Sequence, residues 1–225
     1  MTRASRRGRF ITLEGGEGAG KSTQARRLAA ALAAAGLPVL LTREPGGAPG
    51  AEAVRGLILS RGFDPVAECL LHFAARREHV ARLIEPALAA GIWVVCDRFA
   101  DSTLAYQVHG QGVPRAVFEA IAGAALGGLR PDLTLVMEIE PRLGLERVWS
   151  RARQAGAAVD GQQQPDRYDL MGLEFHQRIH DAFRRIAAEE PARCQRIDAS
   201  AAPDAVAAAI LAAVEARLRL PGPPR

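Results

Sequence analysis

Eight residues, Gly15-Gly16-Glu17-Gly18-Ala19-Gly20-Lys21-Ser22, restrict what this chain can fold into more than any other stretch. They follow the pattern G-x-x-x-x-G-K-[ST], the P-loop, in which glycines let backbone N–H groups turn toward a phosphate. The flanks agree with it. Arg9 to Glu14 reads as a short buried strand, and Ser22 to Ala35 as a helix in which Ala25, Leu28, Ala29 and Leu32 recur at helical spacing before the stop at Gly36. A strand, a glycine loop and a helix N-terminus together form an anion site. Lys21 is the only lysine, since 28 of the 29 basic residues are arginine. A nucleotide's phosphates are therefore expected along Gly15, Gly16, Glu17, Gly18, Ala19, Gly20, Lys21, Ser22 and Thr23, with Lys21 on the β/γ-phosphates and Ser22 on Mg²⁺.

With 225 residues, 48% of them hydrophobic, the chain is expected to form one domain around one substantial core. No apolar run approaches the roughly 20 residues that span a bilayer. Residues 1–8 read as a disordered basic extension, and 221–225 as a frayed tail. Cys69, Cys96 and Cys194 are odd in number and far apart, which argues against disulfides and a metal cluster and for the cytoplasm. The net charge of +4 is mild and its arginines are scattered, a pattern that suits small anionic substrates better than nucleic acid.

Apolar runs at 37–42, 92–96, 133–139 and 193–198 follow the first strand. Helical stretches at 51–59, 66–90, 114–126, 141–153, 173–189 and 203–220 separate them. Strands alternating with helices imply an α/β fold: a P-loop three-layer sandwich with a five-stranded parallel sheet covered on both faces. In such folds ligands sit beyond the C-terminal strand ends. Polar residues cluster there, as Thr42-Arg43-Glu44-Pro45-Gly46-Gly47 after the second strand and Asp97-Arg98-Phe99 after the third. Residues 154–167, rich in Gly, Gln, Ala and Asp, read as a flap flanked by arginines.

Asp97 stands where a second acid could hold Mg²⁺; the alternative is a helix N-cap. Arg98 beside it suits a site where a metal and a second anionic substrate meet. An acceptor that is itself a phosphate is already ionised, so arginines and one metal suffice without a strong base. The chain has no asparagine, which excludes the guanine-reading Asn-Lys-x-Asp sequence.

Taken with the P-loop, the segments Thr42–Gly47, Phe73–His79, Asp97–Phe99, Ser102-Thr103-Leu104-Ala105-Tyr106-Gln107 and Arg130–Thr134 resemble the bacterial thymidylate kinases over about residues 9–198. The resemblance implies transfer of a phosphoryl group from ATP to dTMP, with Mg²⁺, in a homodimer. An apolar helix face between Val66 and Ala90 could build the dimer or simply be core. The resemblance further implies that Glu17 contacts the deoxyribose, while Arg98, assisted by Arg55, holds the dTMP phosphate. Arg76 would bond the base, Ser102, Tyr106 and Gln107 would complete the pocket, and Glu44-Pro45 would form its wall.

Where some members of the family carry a P-loop arginine, this chain has Gly18. The catalytic arginine is therefore expected from the flap: Arg151 or Arg153 before it, or Arg167 after it, with Arg151 in the best helical register. The ring expected to stack on the base falls at His72 with Phe73 adjacent, and a shift by one residue would make Arg77 the base reader. An acid after the flap corresponds to Met171, with Asp169 nearby.

Overall fold

A computed structural model describes residues 7–155 and 167–218. Five strands, β1 (Phe10–Glu14), β2 (Val39–Arg43), β3 (Trp93–Asp97), β4 (Leu133–Glu138) and β5 (Cys194–Asp198), form one parallel sheet in the order β2-β3-β1-β4-β5. The sheet is central because successive side chains of a strand alternate between faces that are both covered. Ile11 and Leu13 enter a core with α1 (Lys21–Ala34) and α9 (Pro203–Leu218). Phe10, Val94 and Cys96 face the opposite core, with α3 (Pro65–His79) and α6 (Arg115–Leu126). Val136 meets α8 (Leu173–Glu189) through Ile179 and Phe183.

The remaining helices are α2 (Pro49–Ser60), α4 (Glu85–Ala89), α5 (Ala100–Thr103) and α7 (Pro141–Ala155). The strand order reverses beside β1, and the P-loop springs from that strand, so the anion site lies at the sheet's switch point.

Two local expectations are corrected, and one element is added. The helix expected over 66–90 is interrupted by a π-helical turn at Val80–Ile84, where the Glu85 N–H reaches back five residues to Val80 O. Pro86, next in line, has no N–H to continue the narrower ladder. A helical segment that sequence periodicity does not reveal, α5 and a π-helical continuation at Leu104–Gly110, follows β3. The extension expected over 1–8 is anchored from Arg7: Arg7 pairs with Asp132 at 3.2 Å, and Gly8 N–H donates to Leu88 O at 2.8 Å. Residues 1–6, 156–166 and 219–225, which hold most of the expected extension, flap and tail, lie outside the described residues.

Candidate active site

The P-loop is clamped between β4 and α7. Gly15, at φ 138°, passes so close to β4 that a Cβ would lie 2.3 Å from Met137 O. Gly18, at φ 70°, presses on α7, where a Cβ would meet Gly144 O at 2.0 Å. Both positions therefore need glycine for conformation and for space. Lys21 opens α1 and curls its ammonium back onto Gly16 O at 2.7 Å, inside the loop. Burial, and after it the Arg98 charge, lowers the Lys21 pKa. Ser22 Oγ donates to Asp97 Oδ2, while Asp97 Oδ1 is buried with no hydrogen-bond partner among the described residues. An unpartnered buried carboxylate oxygen beside a hydroxyl is a donor set suited to a hard cation.

Arg98 leaves β3 in the left-handed conformation, φ 71°, the only non-glycine residue to do so among those described. Its N–H is held by Leu13 O at 2.9 Å. Glu14 pins the next turn, accepting from Phe99 N at 2.8 Å and Ser102 Oγ at 2.6 Å. Burial, and then Asp101, pushes the Glu14 carboxyl up to about 8. The turn sends the Arg98 guanidinium back over the P-loop, where it donates to Glu17 Oε1 at 2.7 Å and to Gly15 O and Ser102 Oγ, each at 3.2 Å. Tyr106 donates to the same Glu17 oxygen at 2.5 Å, with its ring under the Arg98 guanidinium. Burial works to raise the Glu17 pKa, but Arg98, Lys21 and the Tyr106 bond prevail and hold it at about 2.

The far end of the site is built on Arg76, which is almost fully buried. Its Nε donates to Glu44 Oε2 at 2.6 Å, and its terminal nitrogens reach Thr103 Oγ1 at 3.2 Å and Phe99 O at 3.0 Å. Glu44 Oε1 lies 3.0 Å from His79 Nδ1, and His79 Nε2 lies 2.8 Å from Thr42 Oγ1. Because the carboxylate only accepts, Nδ1 carries a proton toward it. The Glu44–Pro45 peptide is cis, and Pro45 O accepts from Arg55 at 2.8 Å. Gln107 Nε2 donates to the buried Glu68 carboxylate at 2.9 Å.

The P-loop, the Arg98–Glu17 pair and Arg76 line one cavity of about 300 Å³. Its lining includes Glu17, Gly18, Gly20, Lys21, Ser22, Thr23, Glu44, Pro45 and Arg55 from the first part of the chain, with His72, Arg76, Asp97, Arg98, Ser102, Tyr106, Gln107 and Arg151 from the rest. That size and a few convergent polar groups are what a small-ligand site needs.

A sequence-family model described as Thymidylate kinase matches residues 13–210. The chain is 50% identical to thymidylate kinase of Bradyrhizobium diazoefficiens over 226 residues, covering 99% of this chain and 95% of that one. It is also 50% identical to the Caulobacter vibrioides thymidylate kinase, covering 95% and 99%. The solved thymidylate kinase of Ehrlichia chaffeensis superposes with a TM-score of 0.73 at 30% identity, over 92% of this chain and 98% of that one. The chain belongs to the thymidylate kinase family.

In this member of the thymidylate kinase family, geometry answers several questions of register. His72 lines the cavity; Phe73 turns into the core against Phe118, centroids 5.4 Å apart, and lines nothing. Arg76 faces the cavity, whereas Arg77 is exposed and reaches Ala125 O at 3.2 Å. Of the flap arginines, Arg151 lines the cavity, Arg153 is solvent-exposed elsewhere on α7, and Arg167 spends its guanidinium on Glu68 and Ile58 O. Asp169 lines the cavity; Met171 does not. Gly15, Gly16 and Ala19 are not in the lining. Sequence reasoning missed Arg43, Leu59, Thr103 and Tyr168, all in the wall. Only Arg43 and Thr103 carried a signal, as members of the quoted polar segments.

Proposed function

We infer that this member of the thymidylate kinase family transfers the γ-phosphoryl of ATP to dTMP, giving dTDP and ADP. The observation that carries the reading is the junction of two differently built ends in one cavity: a P-loop at one, and at the other a pocket lined by Arg76, Gln107 and His72, joined by the Arg98–Glu17 pair. A phosphate oxygen of dTMP attacks the γ-phosphorus, and the bond to the β,γ-bridging oxygen breaks, its electron pair leaving on ADP. The acceptor needs no base because it is ionised at neutral pH.

Lys21 neutralises the β/γ-phosphates, and Arg98 with Arg55 grips the dTMP phosphate. Glu17 then turns to the deoxyribose, and Arg76 and Gln107 read the thymine edge beside the Glu44-Pro45 wall. Arg151 spans the transferring group as a planar fork. Ser22 Oγ and Asp97 Oδ1 fit Mg²⁺, which when bound would neutralise charge on the transferred group. Ser22 and Asp97 would be the ion's protein ligands, with nucleotide phosphates and water completing its shell.

We further infer a homodimer, on the strength of Leu57 in α2 and Leu70 in α3, which are 45% and 50% exposed on neighbouring helices. The substrates are small molecules, with nucleic acid and membrane not among the partners; no described helix is long and apolar enough to cross a membrane. A cytoplasmic location accords with the three free thiols. The test is coupled ADP release with ATP and Mg²⁺ over a panel of monophosphates. dTMP should be preferred; preference for a purine monophosphate, or no turnover, overturns the reading.

A further inference from the structure

Tyr168 is buried at the base end of the cavity, edge-on to Tyr106 with centroids 5.4 Å apart. Among the described residues, four polar groups approach its hydroxyl. Glu68 Oε1 lies at 2.7 Å, an Arg167 nitrogen at 2.8 Å, His72 Nε2 at 3.1 Å and Gln107 Nε2 at 3.2 Å. A phenol has one proton and two lone pairs, so the neighbours decide who donates.

Glu68 is fully buried. Its Oε1 also accepts from Gln107 Nε2 at 2.9 Å and Gln111 Nε2 at 2.8 Å, and its Oε2 is ion-paired with Arg167. It accepts throughout, so the single Tyr168 proton goes to it. Arg167 takes one lone pair at 2.8 Å, and the Gln107 amide is engaged by Glu68 at 2.9 Å, closer than its 3.2 Å from the phenol. The second lone pair therefore faces His72, whose Nε2 carries its own proton toward it at 3.1 Å. Burial, followed by the charges of Arg76, Arg167 and Arg98, pushes the His72 pKa down to about 3. The ring is therefore neutral near pH 7, with Nδ1 as its acceptor.

We propose that Tyr168 is a positioning residue of the monophosphate site, whose hydroxyl fixes His72 in the Nε2–H tautomer and so sets the ring and Nδ1 acceptor that the base pocket presents. The order of dependence is Glu68 to Tyr168 to His72. It links a fully buried acid to the cavity wall without either Tyr168 or Glu68 touching the transferred group. The inference rests on the cavity being where dTMP binds.

The test is Tyr168→Phe, which keeps the ring packed on Tyr106 and removes the hydroxyl. KM for dTMP should rise about tenfold, the scale of one lost hydrogen bond near a buried charge, with kcat and KM for ATP within about twofold. Nitrogen-15 NMR of the ring should show the Nε2–H pattern for His72 in the unmodified protein and a tautomer mixture in the variant. In a His72→Phe background, Tyr168→Phe should add less than about twofold. An unchanged KM, an equal rise for both substrates, an unchanged tautomer or a full tenfold effect without His72 overturns the proposal. Titration of dTMP into the unmodified protein separates the two failures. If the His72 signals do not respond, the assignment of the cavity fails as well; if they respond and Tyr168→Phe behaves normally, only the role of Tyr168 fails.

Discussion

Arg98 and Glu17 meet at 2.7 Å across the P-loop, one arriving from the end of β3 and the other from within the loop. Each is the other's counter-ion, so on the proposed role of Arg98 toward the acceptor phosphate its guanidinium is oriented in advance. Pre-orientation of this kind removes a reorganisation cost from the reaction.

That pair makes a pH-dependent contribution to stability. The Glu17 carboxyl is held at about 2 against an ordinary 4.5. The folded state therefore keeps the charge where the unfolded chain has taken up a proton. The contribution is complete above about 4.5 and is lost as pH falls toward 2. Chemical denaturation from pH 6 to 2.5 should show unmodified protein losing more stability than Glu17→Gln in that window. Parallel curves would mean that Glu17 is not held low.

On its proposed role, Arg151→Ala should lower kcat by about 10²–10³-fold with either KM changed less than about threefold, because the fork would meet its target mainly in the transition state. Arg153→Ala should stay within about threefold in every parameter. Reversal of the two results in single-turnover kinetics would move the catalytic role along α7.

Glu44 and Arg76 form a buried pair, both almost inaccessible to water. Glu44→Gln should destabilise the fold by about 3–5 kcal/mol in urea denaturation, since it strands a buried guanidinium. Adding Arg76→Met should restore part of that loss while abolishing selective use of dTMP. A double variant less stable than Glu44→Gln would show that Arg76 does not depend on this partner.

Asp97→Asn should raise the Mg²⁺ concentration for half-maximal rate about tenfold, as one charged donor is lost. It should leave folding without metal little changed, because the amide oxygen can still accept from Ser22 Oγ and the Oδ1 position has no protein partner to lose among the described residues. A rate that falls equally at all Mg²⁺ concentrations would assign Asp97 to the fold.

On the proposed homodimer, Leu70→Glu should shift the sedimentation of the protein toward the monomer, since it replaces the half-exposed Leu70 of α3 with a charge. Sedimentation unchanged from the parent would place the dimer contact elsewhere or remove it.

The sheet was legible because β1, β3 and β4 are buried on both faces and must be almost wholly apolar, while the polar residues that follow them have no core to join. The P-loop was legible because Gly15 and Gly18 answer to backbone shape. His72 and Phe73 were not separable, since neighbours on a helix differ by about 100° and both are aromatic. Glu68 and Tyr168 gave no signal because a buried acid is tolerable only through partners such as Arg167, 99 residues away in sequence. The π-helical turns depend on Pro86 and on packing that periodicity does not carry.

Gly18 and Gly144 face each other without side chains, and the reverse contact is as tight: a Cβ on Gly144 would lie 2.3 Å from Glu17 O. Any bulk at position 18 must shift either the loop or the Gly144 backbone of α7, and α7 is the helix that brings Arg151 to the cavity. An arginine added to this P-loop would press on that same backbone. The two sources of positive charge are mechanically opposed: gaining the one in the loop disturbs the backbone that carries the one on the helix.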